Sequence, residues 1–437
     1  MNLMPPTTLA ELAADGLFAS TAHDLCWRQL KQVTGTEINF QGDIASTEGR
    51  ADQADFSDQN AASEGSPAPA YAEDVPVEVR IYTGEGTVDV KGHRIAVLNG
   101  ASWTWATAAE RSLDIAELHG STQASELLLA AARAIEGGNT ILIGDQADGN
   151  MAAISVDIAQ AKPAKNHAVL PAPASIATEN VLISGIGDPL LDQIDEVRAV
   201  AAFAHARGLE IEEAGTGLRL HGGSSANEDG TDITVDFLDG HISAISAPQH
   251  GRSEWRVEDI AADGYFLAIE HALWFAANYP EAAKNHIPVN LETGHVLVDE
   301  SAKLEADAVI IATLTNGVFT WAWADEQLAA LPSQAPLLKL RNFGIDKFVP
   351  ALVRKSMPAD TARELTLPQV AMPILNMWKV VTVKLNDSTT GIALIDAPEL
   401  ALPRLTPEVE TSVLSIRPPE HIDVNRAFEA YSAMRHS

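Results

Sequence analysis

The chain has 437 residues, with 29 Lys and Arg against 60 Asp and Glu, a net charge of −31 and 46% hydrophobic residues. That apolar content excludes a wholly disordered chain, and the length calls for two or three domains with sizeable cores. The acidic balance argues against a general nucleic-acid binder or a protein that docks on anionic lipid, both of which need basic faces.

No stretch of about 18 uncharged apolar residues exists to span a membrane. The single cysteine, Cys26, cannot form an intramolecular disulfide. Glu11 and Asp15 stand where a signal peptide would carry basic and then apolar residues. A cytoplasmic location is expected.

A first helix is read from Leu9, Leu12, Gly16, His23, Trp27 and Leu30, which share one helical stripe. Residues 44–76 hold seven acids against Arg50 alone and lack apolar content. This segment is expected to be a disordered acidic insert, either a plain solvated loop or a partner-binding tether. Alternating runs follow at Val77–Ile81, at His93–Leu98 and through Trp103 and Trp105, with the turn signal Asn99-Gly100 between the last two. A helix over 122–137, a strand pair over 141–158 and a closing helix over 189–207 complete this half. Residues 208–257 look all-β, with a hairpin turning at Asp239-Gly240, and are expected to extend a neighbouring sheet or to bridge two.

The next helix carries Ile260, Gly264, Leu267, His271 and Phe275 on one stripe. Strands at Val296–Val298, Ala308–Leu314 and Val318–Trp323 follow, the last two flanking Asn316-Gly317. Helices at 334–342, 348–356 and 367–379, a hairpin over 380–397 and a helix over 421–435 end the chain. Such short connections imply antiparallel pairing, and strands and helices in separate blocks give an α+β class.

The order of elements repeats because the sequence does. Ala13, Ala14, Asp15, Gly16, Phe18, His23 and Leu25 recur as Ala261, Ala262, Asp263, Gly264, Phe266, His271 and Leu273. Trp103-Thr104-Trp105-Ala106 recurs as Trp321-Ala322-Trp323-Ala324, and Asp195–Phe203 lines up with Asp423–Tyr431, sharing Arg198 with Arg426. The expected organisation is a first repeat over 1–207, a β connector over 208–257 and a second repeat over 258–437.

Motifs with a chemical mechanism are absent. There is no phosphate loop, nucleophile elbow, His-Glu-x-x-His, paired Cys-x-x-Cys or calcium loop. Gly185-Ile186-Gly187-Asp188-Pro189 reads as a turn before a helix. No catalytic, cofactor-binding or metal-ligating residue is therefore assigned, and no cofactor is expected.

The duplicated Trp-x-Trp places two indoles on one strand face. They can cover the opening helix as core or, as a surface, stack a ligand or a partner's side chain. Gly16 and Gly264 favour the core reading, since a mid-helix glycine costs about 1 kcal/mol and suggests something pressing on the backbone. His23 and His271 can be catalytic bases or buried, hydrogen-bonded histidines, and Asp15 and Asp263 can bond nearby backbone or act as acids. Catalysis would more naturally use unshared groups such as Asp24, Glu270 or His241, because one active site needs its groups only once, but none of these forms a constellation.

From Ile311 through Trp321-Ala322-Trp323-Ala324, preceded by His271-Ala272-Leu273-Trp274-Phe275 and Asn290-Leu291-Glu292-Thr293-Gly294, the chain resembles a bacterial, often actinobacterial, family of unknown function with a Trp-x-Trp-Ala strand. The resemblance covers 258–396 and, more loosely, 8–158. It implies a fold and a tandem arrangement but no activity. The resulting expectation is a non-enzymatic binding or adaptor protein with an unknown protein or small-molecule partner. Trp103, Trp105, Trp321, Trp323, His23 and His271 are the candidate ligand or partner surface. The alternative is an enzyme or small-ligand protein with a pocket between the repeats.

Overall fold

The computed structural model describes residues 3–30, 33–41, 71–84, 86–107, 113–146, 148–163, 172–222, 231–248, 255–284, 287–291, 293–299 and 304–436. Its chain divides into two compact units, Met1–Gly185 with Pro189–Ile242, and Ile186–Asp188 with Ser243–Ser437. The class is α+β.

The first unit opens with α1 (Leu9–Trp27), capped by the Thr8 side chain, which accepts from the Glu11 amide. Strands β1 (Val33–Phe40), β2 (Pro76–Thr83), β3 (Gly86–Asn99), β4 (Ser102–Trp105) and β5 (Ser121–Gln123) pair in that order. Next come α2 (Glu126–Ile135), the hairpin β6 (Thr140–Asp145) and β7 (Met151–Val156), the short β8 (Lys162–Pro163), α3 (Thr178–Gly185) and α4 (Glu196–Ala206). Most of the expected acidic insert lies outside the described residues. Its last six residues do not belong to a loop of that kind: Val75 is buried and accepts from the Arg94 amide, and Pro76 opens β2.

Residues 210–246 form β9 (Glu210–Ala214), β10 (Gly217–Gly222), β11 (Thr231–Leu238) and β12 (His241–Ser246). They are a separate four-stranded sheet in the order β12-β11-β10-β9, rather than one hairpin added to a neighbouring sheet. Leu218, Leu220, Ile233, Val235 and Ile242 bury one face of it, as period-two alternation requires. Asp239 and Gly240 both take positive φ in the turn.

The second unit runs through α5 (Val257–Asn278), α6 (Pro280–Lys284), β13 (Val289–Asn290), β14 (His295–Asp299), β15 (Leu304–Thr315), β16 (Val318–Trp321), α7 (Glu326–Ala329), α8 (Leu337–Lys347), α9 (Pro350–Val353), β17 (Ser356–Pro358), α10 (Ala359–Glu364) and α11 (Leu367–Leu375). The hairpin β18 (Lys379–Lys384) and β19 (Thr389–Asp396), then α12 (Pro407–Leu414) and α13 (Val424–Arg435), close it.

The two larger sheets share one connectivity. In the first, β7 joins β3 and β6, off the path β1-β2-β3-β4-β5; in the second, β19 joins β15 and β18, off the path β13-β14-β15-β16-β17. Ala96 pairs with both Trp105 and Ala153, and Gly92 with both Val77 and Val156, so β2 and β4 share one edge of β3 while β7 covers the other. Strand β15 is used in the same way by β14, β16 and β19. Each long strand carries an irregularity at a fully buried isoleucine, Ile95 or Ile311, where the pairing with β7 or β19 slips.

These registers correct the expected match of the tryptophans. Trp105 lies opposite Ala96 and Trp321 opposite Ala312, each alanine directly following the slip. Trp105 therefore corresponds to Trp321, and Trp103 to Phe319. Trp323 falls beyond the strand, in a single 3-10 turn over Ala322–Ala324. The turns also differ: Asn316 and Gly317 both have positive φ, whereas Asn99 stays in β3 opposite Ser102 and Gly100-Ala101 makes the turn.

The opening helices meet a helix at their glycines. A Cβ on Gly16 would stand 2.4 Å from Cβ and 2.5 Å from Cα of Ala134 in α2; one on Gly264 would stand 3.1 Å from Cδ of Pro373 in α11. Gly16→Ala is therefore expected to cost about 1–3 kcal/mol through overpacking. Gly264→Ala should stay near neutral, since the helix preference for alanine of about 1 kcal/mol offsets a milder contact. Urea unfolding followed by circular dichroism compares the two, and equal losses would contradict the tighter approach at Gly16.

Candidate functional site

The polar residues repeated in both halves are spent on the fold. Arg198, in the first turn of α4, donates from Nε and Nη2 to the two carboxylate oxygens of Asp15, both at 2.7 Å. Arg426 of α13 does the same to Asp263 of α5, at 2.7 and 2.8 Å. Asp15 and Asp263 are thus neither free acids nor partners of nearby backbone: each pins a closing helix onto an opening helix by a bidentate, half-buried pair.

A second pair of arginines clamps chain segments. Arg207, which caps α4, donates to the carbonyls of Pro173 and Ile176 at 3.0 and 2.7 Å. Arg435 at the end of α13 donates to Pro403 O at 2.8 Å and also to both oxygens of Glu270. Glu270 is buried and accepts from the Tyr431 hydroxyl at 2.9 Å, and burial together with that carboxylate raises the tyrosine's pKa.

The unshared candidates are likewise paired. Asp24 accepts from Arg133 of α2, and His241 lies 2.7 Å from the buried carboxylate of Glu196.

Of the candidate surface residues, Trp103, Trp105 and Trp321 are buried, and Trp321 has no exposed area at all. Trp103 and Trp105 form an edge-to-face pair at 5.3 Å within the core that includes Leu9 and Leu12 of α1. Trp321 pairs in the same way with Phe319 at 4.9 Å, and its indole N–H donates to Ala351 O at 2.8 Å. Trp323 is half-buried with Arg341 over its ring at 5.1 Å, so the second unit has no two-indole face.

The two histidines remain half-buried on the opening helices. His23 is not hydrogen-bonded through Nδ1, which is buried with no partner among the described residues, and burial lowers its pKa. His271 stacks on Trp378 with centroids 6.1 Å apart and planes 13° from parallel. Burial, with the positive charges of Arg435 and Lys379, lowers its pKa to about 4.

Next to it, at the start of β18, Lys379 places its ammonium 4.1 Å over the ring of Phe275, one helical turn beyond His271. Burial lowers the Lys379 pKa to about 8. His271, Phe275, Trp378 and Lys379 form the described cluster that structure-building pairs do not consume. Neutral imidazole and a desolvated ammonium against two aromatic rings can accept, donate or bind an anion.

Trp378 and Lys379 were not among the candidates read from the sequence. The signal was available, because β6 and β18 align Thr140 with Lys379, so the pair stands against Asn139-Thr140 in the first half.

Residues 258–398 match the model of a family of unknown function, DUF6882. The match runs from α5 to just past β19 and so contains His271, Phe275, Trp321, Trp378 and Lys379 but not α12 or α13. No curated protein and no solved structure matches the chain. Among the described residues no helix is long and apolar enough to cross a membrane.

Trp321→Ala should remove about 3–5 kcal/mol, as truncation of a buried Trp does. Trp323→Ala should cost clearly less, a ranking that chemical denaturation tests. For His271, the folded pKa lies below the ordinary 6.5, so the unfolded chain binds the extra proton first. Its contribution to stability is complete above pH 6.5 and is lost as the pH falls from 6.5 to about 4. His271→Phe keeps a ring against Trp378 and should flatten the stability profile in that window; an unchanged profile would contradict the assignment.

Proposed function

We propose that this chain is a cytoplasmic bacterial binding protein, made by tandem duplication of one α+β unit, which engages a protein partner through the outer face of α13. Several features support the duplication. They are the common sheet connectivity, the slip at Ile95 and Ile311, and the Asp15–Arg198 and Asp263–Arg426 pairs. The ring pairs Phe18–Phe203 and Phe266–Tyr431, at 5.9 and 6.1 Å, are another. A free, buried Cys26 fits a reducing compartment.

The observation that carries the partner is a difference between matching helices. With Asp195 and Asp423 as the N-caps of α4 and α13, Glu196, Val200, Ala201 and Ala204 correspond to Val424, Phe428, Glu429 and Ser432. All four residues of α4 are buried. Helix α4 packs against β9, and the Glu196 carboxylate accepts from the Ile242 amide of β12 at 2.7 Å. On α13, Val424 and Phe428, one helical turn apart, are 50% and 47% exposed.

Large apolar side chains one turn apart are costly to leave in water, at about 25 cal/mol per Å². Grouped exposure of this kind marks an interaction surface. It also relocates the expected aromatic surface from the tryptophans to Phe428.

A photo-crosslinking benzoylphenylalanine at position 428, introduced in the source cell, should give a discrete adduct with one protein. A Val424→Glu background should remove that adduct while the melting temperature stays unchanged. No adduct, or an adduct insensitive to Val424→Glu, would reject the surface.

A further inference from the structure

We infer that Lys379 is a binding site for a small oxyanion, a carboxylate or phosphate group held against the aromatic wall of Phe275 and Trp378. In a chain with 60 acidic residues, Lys379 is half-buried with its ammonium against an aromatic ring rather than a carboxylate. Among the described residues the Lys379 ammonium makes no hydrogen bond and no ion pair; its one close polar interaction is with the face of Phe275 at 4.1 Å.

Glu270, which precedes His271 on α5, is not free to serve the ammonium. Both oxygens of Glu270 accept from Arg435, and one also accepts from Tyr431. Withdrawing a cation from water without a partner costs several kcal/mol, which is why such groups are normally paired or engaged with a ligand.

The fold does not require the cation. The same hairpin in the first unit begins with Thr140 where the second has Lys379, and Asn139 where the second has Trp378. A residue present in one copy and dispensable in the other fits a role that is needed once. His271 sits on the same face of α5, one turn before Phe275, and as a neutral imidazole can donate an N–H to the same group without adding charge. Arg435 and Lys379 both lower the His271 pKa, so the local field is positive although the protein is strongly acidic. An anion of charge −1 or −2 is the ligand that such a field and such donors recognise.

The test uses the full chain and its tryptophan fluorescence, with a Trp378→Phe variant to assign the change to the indole beside the site. Acetate and inorganic phosphate, titrated separately at pH 7 against sodium chloride at matched ionic strength, should produce a saturable change in tryptophan fluorescence with at least one of them. The stronger anion identifies the source class. Lys379→Met should lose that change yet melt at or above the wild-type temperature, because an unpaired, partly buried charge is replaced by an apolar chain of similar volume. Lys379→Arg should retain a saturable response.

A response no larger than that to chloride, a response surviving in Lys379→Met, or a marked drop in the melting temperature of Lys379→Met would each overturn the inference. The last outcome would make the amine structural. The result is independent of the α13 surface, which Lys379→Met leaves intact.

Discussion

The architecture of each unit depends on one ion pair. Arg198 reaches from the first turn of α4, and Arg426 from the first turn of α13, to an aspartate in the second turn of the opening helix. The guanidinium and carboxylate meet in a two-bond fork, which fixes both separation and rotation between the helices. Everything packed beyond it inherits that geometry: the ring pair two turns along the closing helix, then the arginine at its end that grips the segment before α3 or α12. Because the pair is partly withdrawn from water, losing one member leaves the other poorly solvated. An exposed ion pair would contribute only about 0–1 kcal/mol.

The recurrence of Asp and Arg was visible in the sequence, but their meeting was not. Asp15 and Arg198 are far apart in the chain, and an aspartate in a helix is read first against its local backbone. Local signals were more informative. Asp239-Gly240 and Asn316-Gly317 turn as their chemistry requires, because positive φ is a property of those residues rather than of distant contacts. The Trp-x-Trp match failed by two residues for the same reason in reverse. Identical letters do not report where a strand ends, and only pairing with β3 or β15 shows that Trp321 is the last strand residue and Trp323 is not. The separate sheet at β9–β12 was half legible: its alternation was clear, its hydrogen-bonding partners were not.

Matching helices of the two units lie in different surroundings. Where α4 carries Glu196, Val200 and Ala201, all enclosed, α13 carries Val424, Phe428 and Glu429 in the open. Enclosure favours a carboxylate with two defined donors and small side chains that fit, whereas an open face accepts bulk and charge together. Lys379 in place of Thr140 is a change of the same kind, at a position where the hairpin can begin with either residue. The residues common to both units are paired within the fold, and Lys379, Val424 and Phe428 stand at positions where the first unit has different residues.

The long central strands also set an order of events during synthesis. One edge of β15 is covered early, by β14 before it and β16 after it. Its other edge pairs with Thr389–Asp396, which leaves the ribosome only after the intervening helices have been made. Until then Val309–Ala312 presents an apolar strand with open backbone groups, the kind of edge on which nascent chains aggregate. The wait is shorter for β3, whose partner β7 follows after β4, β5, α2 and β6, with α2 the one α-helix between them among the described residues. Translation speed across residues 322–388 therefore matters more to this protein than speed across its first half, and chaperone demand should concentrate there.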